Sequence, residues 1–333
     1  MTNSALFVPA DDARQPPRER YCGPAGVLRS DFPFLDLHRA ETGSEALLDV
    51  VQVPAPLPVQ GREVRALWDP ERNQHTLRVF EDETGLTWDV PGVGQFHADA
   101  AGQVVRYFLE PDALESDAEN MLVGPVLSVA GQLAGHVMLH ASAIEFEDAA
   151  LAFSAPSGWG KSTLVASFRD DGLPLMSDDV LPLQFDGDTT FAVPYLPKLK
   201  LWAASLRGLG AREAAFTPVL SWRDKRRVKV EAGWGELAHD PRPLRILYLL
   251  APHPDPNQPI AFEQVETTKC WAAVHSCMYM AEMLHGARAV AALDGAARIA
   301  ASLPVRVVRY HRSFDNLPAI REAILRDAAE VTT

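Results

Sequence analysis

One segment of this sequence restricts the fold more than any other: Ala155-Pro156-Ser157-Gly158-Trp159-Gly160-Lys161-Ser162. It follows the pattern of a phosphate-binding loop (P-loop), in which Gly is followed by four free positions and then Gly-Lys-Ser/Thr, except that Ala155 replaces the first Gly. The apolar run Leu151 to Ser154 before it is typical of a buried strand, and Thr163 to Phe168 after it predicts a helix. Strand, loop and helix in this order favour a P-loop over a simple Gly/Ser turn that opens a helix.

The residues of this loop have separate chemical tasks. Backbone N–H groups can surround phosphate oxygens, and the N-terminal end of the following helix adds positive potential. Lys161 can reach the β- and γ-phosphates, and the Ser162 hydroxyl can bind Mg²⁺. The sequence therefore predicts ATP and Mg²⁺ as cofactors. The expected nucleotide contacts are Ser157, Gly158, Trp159, Gly160, Lys161, Ser162 and Thr163.

An acidic pair, Asp178-Asp179, ends an apolar run downstream of the loop. In P-loop enzymes a second strand carries an acidic residue beside the phosphates, where it holds Mg²⁺. Two adjacent carboxylates can divide the work, one at the metal and the other accepting the proton of a hydroxyl nucleophile. Successive strand residues face opposite sides, so a bend is needed for both to face the site. An exposed acidic turn is the alternative.

Composition narrows the classes of partner. The formal net charge is −13 and the pI is near 5.2, which argues against general nucleic-acid binding. The three cysteines, Cys22, Cys270 and Cys277, show no metal-ligand spacing and fit a reduced cytoplasmic protein. Residues 1–20 contain no signal-peptide core, and no apolar run reaches the roughly 20 residues of a membrane span, so we expect no membrane partner.

Three regions are predicted along the chain. Residues 1–20 form a loose N-terminal segment. Residues 21–119 alternate short apolar segments with turn signals such as Thr84-Gly85 and Pro91-Gly92, which predicts a small β-rich domain. Residues 120–333 mix strands and helices, which predicts an α/β P-loop domain. Predicted helices of this part include Asn120–His136, Thr268–Met283, Gly286–Ser302 and Leu317–Ala329.

The segments Leu139–Ala143, Phe153–Leu164 and Gly172–Val180 together resemble the kinase domain of HPr kinase/phosphorylase. That family carries a His-Gly or His-Ala step, a strand, a Gly-Lys-Ser loop and an Asp-Asp step at this spacing. The resemblance covers roughly residues 135–200. It implies an α/β fold of the HPr kinase/phosphoenolpyruvate carboxykinase-like type.

The resemblance also implies roles for individual residues. Asp178 would be the base for a serine hydroxyl and Asp179 would support the metal with Ser162. His140 would orient a partner or balance its charge, beside Lys161 as the other catalytic residue. Without the resemblance, His140 is more typical of a core histidine at a strand end than of a functional residue.

The chain departs from HPr kinase itself in several features. Thr163 stands where that family usually has Glu, and the later Gly/Arg/Asn-rich segment tied to dephosphorylation is not visible. The N-terminal half is unlike the usual regulatory domain. The chain is more similar to the HPr-kinase-related proteins of peptide-tailoring clusters, including lasso-peptide kinases. That similarity implies phosphorylation of the C-terminal serine of a precursor peptide.

Two basic segments offer further candidates for a phosphate or for an acidic peptide end. Within Pro194–Trp202, Lys198 or Lys200 can serve, although a solvated edge strand explains the segment equally well. Within Arg223–Val230, Arg226 and Arg227 are the better candidates, because Arg binds phosphate and carboxylate in a bidentate manner. An exposed strand rim is the alternative there.

The function that the sequence favours is an ATP- and Mg²⁺-dependent serine kinase with a peptide or small protein as acceptor. One alternative is a nucleotide-binding or hydrolysing regulatory protein, in which the β-rich half docks a partner. Another is a kinase of a free amino acid or sugar. The sequence is compatible with a homo-oligomer.

Overall fold

The computed structural model describes residues 18–41, 43–211, 216–219, 224–230 and 234–331. Residues 1–17 of the predicted N-terminal segment lie outside the described residues, and Glu19 already begins the first strand. The chain is mixed α/β, and the described strands pair into two larger sheets and one three-stranded sheet.

The first sheet contains eight strands in the order β1-β2-β3-β8-β7-β6-β5-β4. Alternate residues of strands such as β7 are buried, so one face of this sheet covers a core. Its strands are β1 (Glu19–Gly23), β2 (Gly26–Ser30), β3 (Leu48–Gln52), β4 (Arg62–Asp69), β5 (Gln74–Asp82), β6 (Gly85–Val90), β7 (Gly94–Asp99) and β8 (Val104–Leu109).

A broken helix lies against this sheet. It consists of α1 (Glu115–Met121), a π-helical turn (Leu122–Val126) and α2 (Leu127–Leu133). The turn contains Pro125, which has no N–H for the regular helical hydrogen bond. The backbone hydrogen bonds change there from the α-helical to the π-helical pattern. Leu122 and Leu127 share a core with Trp88 and Phe96 of the first sheet. The predicted helix Asn120–His136 is thus interrupted, and its apolar side covers the N-terminal half.

The second sheet has the strand order β12-β10-β11-β18-β14-β13-β9, and β20 joins it beside β18. The strands β11, β18 and β20 run parallel, so their carboxyl ends meet at one edge. The strands are β9 (Val137–Leu139), β10 (Ala141–Phe146), β11 (Ala149–Ser154), β12 (Leu175–Ser177), β13 (Leu181–Asp186), β14 (Thr189–Ala192), β18 (Arg242–His253), β19 (Ala261–Gln264) and β20 (Val305–His311). The third sheet contains β15 (Lys198–Trp202), β16 (Thr217–Pro218) and β17 (Lys225–Lys229).

Helices cover both faces of the second sheet. Along the fully buried β11, Ala150 and Ala152 pack in one core, while Leu151 and Phe153 pack in the other. The first core includes α5 (Thr267–His275) and α6 (Ala287–Ser302), and the second includes α3 (Lys161–Ser167), α4 (Ala203–Gly208) and α7 (Leu317–Glu330). A three-layer α/β/α arrangement results.

The predicted helix Thr268–Met283 is wrong in its second half. The helix ends at His275, and the chain then runs beside β9, where His140 N–H donates to the Cys277 carbonyl and Tyr279 N–H to the Met138 carbonyl. These strand-like hydrogen bonds replace helical ones, because β9 presents an edge that the following residues can pair with. This path places Cys277 and Tyr279 in the wall of a cavity.

Within the described residues, every helix is too short or too polar to cross a bilayer.

Candidate functional site

The segment from Ala155 to Gly160 connects the carboxyl end of β11 to the first residue of α3. Gly158 and Gly160 have φ angles of 85° and 99°, in the left-handed region that glycine adopts without steric cost. Lys161 folds back over the loop, where its Nζ donates to the Ala155 carbonyl oxygen at 2.8 Å. Burial lowers the pKa of Lys161, while the charges of Asp179 and Asp178 oppose that shift. The ammonium group therefore lies inside the loop that precedes it.

Asp178 is buried and held by three donors. Its Oδ1 accepts hydrogen bonds from Ser142 Oγ at 2.6 Å and Ser162 Oγ at 2.8 Å. Its Oδ2 accepts one from the Lys200 backbone N–H at 3.0 Å. The carboxylate is therefore fixed beside the Ser162 hydroxyl at the start of α3.

Asp179 lies next to it in different surroundings. The strand β12 ends at Ser177, and Asp179 has a φ of 76°, which supplies the bend that two neighbouring carboxylates need to face one region. Its Oδ2 lies 3.0 Å from Lys200 Nζ, and its Oδ1 lies 3.9 Å from His140 Nε2. Burial tends to raise the pKa of Asp179, but Lys200 and then His140 hold it well below its usual range. The side chain is ionised, and 29% of it is exposed.

His140 follows β9 and faces Asp179. Its ring stacks on Tyr279, with centroids 6.0 Å apart and planes 18° apart. Burial lowers the pKa of His140, and the charge of Asp179 opposes the shift. The ring lies beside the Asp179 carboxylate and is placed to position it.

Of the other predicted nucleotide contacts, Ser157 lines the wide cavity beside Asp179, and Thr163 lines a niche around Lys161 and Ser162. The Thr163 hydroxyl shares a hydrogen bond with Ser205 Oγ at 2.8 Å. Trp159 lines a further cavity at the other end of the loop.

The structure places the predicted basic residues Lys198, Arg226 and Arg227 away from the loop. Lys198 is buried in an ion pair with Asp36, and Arg227 lies 3.3 Å from the same carboxylate. Arg226 pairs with Asp224 at 3.4 Å. None of the three lines a cavity around the P-loop.

The pairing of β15 with β17 explains where these residues lie. Residues opposite each other in the pair share a face, so one face carries Lys198, Lys200, Trp202, Lys225, Arg227 and Lys229. Arg226 has the opposite parity and stands on the other face, with Leu201 opposite it. The basic face runs from Asp36 at one end to the P-loop niche at the other, so of its cations only Lys200 and Lys225 reach the site.

The cation Arg312 was not singled out from the sequence. It follows β20, and its Nη1 donates to the Gly158 carbonyl at 3.0 Å. Since β20 runs parallel to β18, and β18 to β11, the carboxyl end of β20 lies at the edge that carries the loop. Predicting β20 as a third strand parallel to β11 and β18 would have placed Arg312, which follows β20, beside the loop.

A cavity of about 700 Å³ opens beside Asp179. Positive charge reaches it from Lys200, Lys225 and Arg65, and Arg65 belongs to the first sheet. Arg65 also forms an ion pair with Glu282 in the cavity wall. Both halves of the chain therefore contribute to this space.

No family model matches the sequence, and no curated protein matches it. Among solved structures, the chain is similar to the Hpr(Ser) kinase/phosphatase from Coxiella burnetii, with 12% identity and a TM-score of 0.34. The match covers 58% of this chain and 90% of that chain.

Proposed function

We propose that this protein is an ATP- and Mg²⁺-dependent kinase that transfers the γ-phosphate to a serine hydroxyl of a peptide or small protein. One observation carries the proposal: the P-loop hydroxyl of Ser162 donates to buried Asp178 at 2.8 Å, while ionised Asp179 beside it opens into the 700 Å³ cavity. A phosphate loop, a pair of oxygen donors and a carboxylate facing free space are the parts that phosphoryl transfer requires.

The oxygen atoms of Ser162 and Asp178 fit Mg²⁺, which is a hard cation that prefers hydroxyl, carboxylate and phosphate oxygens. When bound, Mg²⁺ neutralises charge on the β- and γ-phosphates. We therefore assign Asp178 to the metal and Asp179 to the acceptor. This division reverses the one that the family resemblance implies.

Asp179 orients the acceptor hydroxyl and receives its proton. A carboxylate with a low pKa is a weak base, but the transferred phosphoryl group has a loose transition state, in which positioning and charge stabilisation supply most of the rate. Lys200, at 3.0 Å, and His140 keep the carboxylate ionised and in place. Lys161, Lys225 and Arg312 provide positive charge around the phosphates.

The acceptor that we propose is the C-terminal serine of a precursor peptide. Such a residue presents a hydroxyl and a carboxylate close together. Asp179 can accept a hydrogen bond from the hydroxyl. Arg65 and Lys225 in the same cavity can form ion pairs with the terminal carboxylate.

The test is transfer from γ-labelled ATP in the presence of Mg²⁺. The acceptors are a peptide that ends in serine, the same peptide ending in alanine, and free serine. Label on the first peptide alone supports the proposal. Label found only in free phosphate would favour a nucleotide-hydrolysing regulator, and label on free serine would favour a small-molecule kinase.

A further inference from the structure

A second cavity, of about 540 Å³, borders the other end of the P-loop. It shares no lining residue with the cavity beside Asp179. It does share Gly158, Gly160 and Thr163 with the niche around Lys161 and Ser162. The loop therefore lies between two spaces of different character, and the second is continuous with the phosphate niche.

The walls of this second cavity are aromatic. Trp159 of the loop is 42% exposed, Trp202 at the end of β15 is 40% exposed, and Phe314 after β20 is 42% exposed. In the described part of the chain, five aromatic side chains are this exposed, and these three line one cavity. Exposed apolar surface gathered in a concave site marks a ligand-binding place.

The position of the Phe314 wall is fixed relative to the loop. A Cβ added at Gly208, the last residue of α4, would lie 2.3 Å from the Phe314 ring, so α4 leaves room there for the ring. Arg312, two residues before Phe314, donates a hydrogen bond from its Nη1 to the Gly158 carbonyl oxygen at 3.0 Å. The aromatic wall and the P-loop therefore hold a set spacing.

We infer that this aromatic cavity binds the purine base and ribose of the nucleotide. This inference rests on the proposed function, in which the loop holds the phosphates of the same nucleotide. The cavity beside Asp179 is needed for the acceptor, so the nucleoside extends to the opposite side. Flat purine rings stack on Trp and Phe side chains. Ser205, Ser313 and Asp315 in the same wall offer partners for the ribose hydroxyls and the edge of the base.

The test compares the binding of ADP with that of inorganic tripolyphosphate, which has no base, by titration calorimetry of the full-length protein. The variants Trp202→Ala and Phe314→Ala should each weaken ADP about tenfold, because stacking on one aromatic ring contributes about that factor. Tripolyphosphate binding should stay within about twofold of its original value. Trp202→Phe keeps an aromatic ring and should retain most of the ADP affinity.

Trp271→Ala is the matched control, since Trp271 is 48% exposed on α5 and lines neither cavity. It should alter neither ligand. Equal loss of both ligands, or no loss of ADP affinity in Trp202→Ala and Phe314→Ala, would overturn the inference while leaving the kinase proposal intact. Failure of the unaltered protein to bind either ligand would instead refute the proposed nucleotide site.

Discussion

At the scale of single residues, Asp178 and Asp179 differ in what surrounds them, and that difference predicts different kinetic defects. Asp179→Asn removes the carboxylate that faces the acceptor, so kcat should fall by about two to four orders of magnitude. The dependence on Mg²⁺ concentration should not change. Steady-state rates over a series of Mg²⁺ concentrations measure both quantities.

Asp178→Asn is the matched comparison, because it makes the same carboxylate-to-amide change at the neighbouring residue. The amide carries no negative charge for the metal that Asp178 and Ser162 would hold. The Mg²⁺ concentration for half-maximal rate should therefore rise at least about tenfold. If the Mg²⁺ requirement shifts in Asp179→Asn instead, the roles are those that the family resemblance implies.

Lys200 is the cation that contacts Asp179, at 3.0 Å. In the intact protein its charge holds the pKa of Asp179 well below the usual range, so protonation of this base should not limit kcat/KM at mildly acidic pH. Lys200→Met removes that charge, and burial then raises the pKa. The acid limb of the pH profile should therefore move to higher pH by about one unit or more.

The relevant readout is the position of the limb, because the maximal rate also falls when a cation near the phosphates is lost. Lys200→Arg keeps the charge and should leave the limb near its original place. A limb that stays fixed in Lys200→Met would show that Lys200 does not set the ionisation of Asp179.

At the scale of elements, the start of α3 depends on a left-handed residue. Gly160 has a φ of 99°, so Gly160→Ala should lower the free energy of unfolding by about 1–2 kcal/mol and displace Lys161 beside it. ATP affinity should fall with it. Denaturant unfolding and nucleotide titration measure the two effects.

Gly172→Ala provides the control for that change. Gly172 also has a left-handed φ, 71°, but it follows the 3₁₀ turn Phe168–Asp171 and lines neither cavity. It should show a similar loss of stability with unchanged ATP affinity. A drop in affinity in both variants would mean that general destabilisation, not loop geometry, weakens binding.

Elements with a strong local pattern could be predicted from the sequence, and elements defined by distant partners could not. The apolar run of β11 and the helical spacing of apolar residues in α6 can be recognised from the local sequence alone. The chain after His275 does not, because its conformation depends on hydrogen bonds to β9, more than a hundred residues earlier. Likewise, only the register of β15 with β17 reveals that Lys225 reaches the site and Arg226 does not.

At the scale of the whole molecule, the two halves meet through a buried charged cluster. Lys198 of β15 pairs with Asp36 near the first sheet, and Arg227 and Glu119 complete the group. Lys198→Met leaves Asp36 with Arg227 alone, so the free energy of unfolding should fall by about 3 kcal/mol, since a buried charge then lacks its main partner. Chemical denaturation measures the change.

The double variant Lys198→Met/Asp36→Asn removes both charges of the pair. It should recover part of the lost stability, because the amide needs no counter-ion. Equal stability of the single and double variants would show that the pair is not energetically coupled. Sequence alone did not indicate this cluster, because Asp36 and Lys198 lie 162 positions apart.

Apolar contacts also cross this boundary. Tyr195, Tyr279 and Met283 pack in one core with Trp88 and Phe96 of the first sheet. Side chains of the N-terminal and C-terminal halves thus share one core.

The buried pair of Lys198 and Asp36 also limits how such proteins can be recombined. A chimera that grafts a foreign first sheet onto the C-terminal half would inherit Lys198 without the Asp36 carboxylate, on the strand that also carries Lys200 to Asp179. Compatible donors must therefore supply an acid at the position of Asp36. A matching mutation at that one site is the first change to try when such a graft fails to fold.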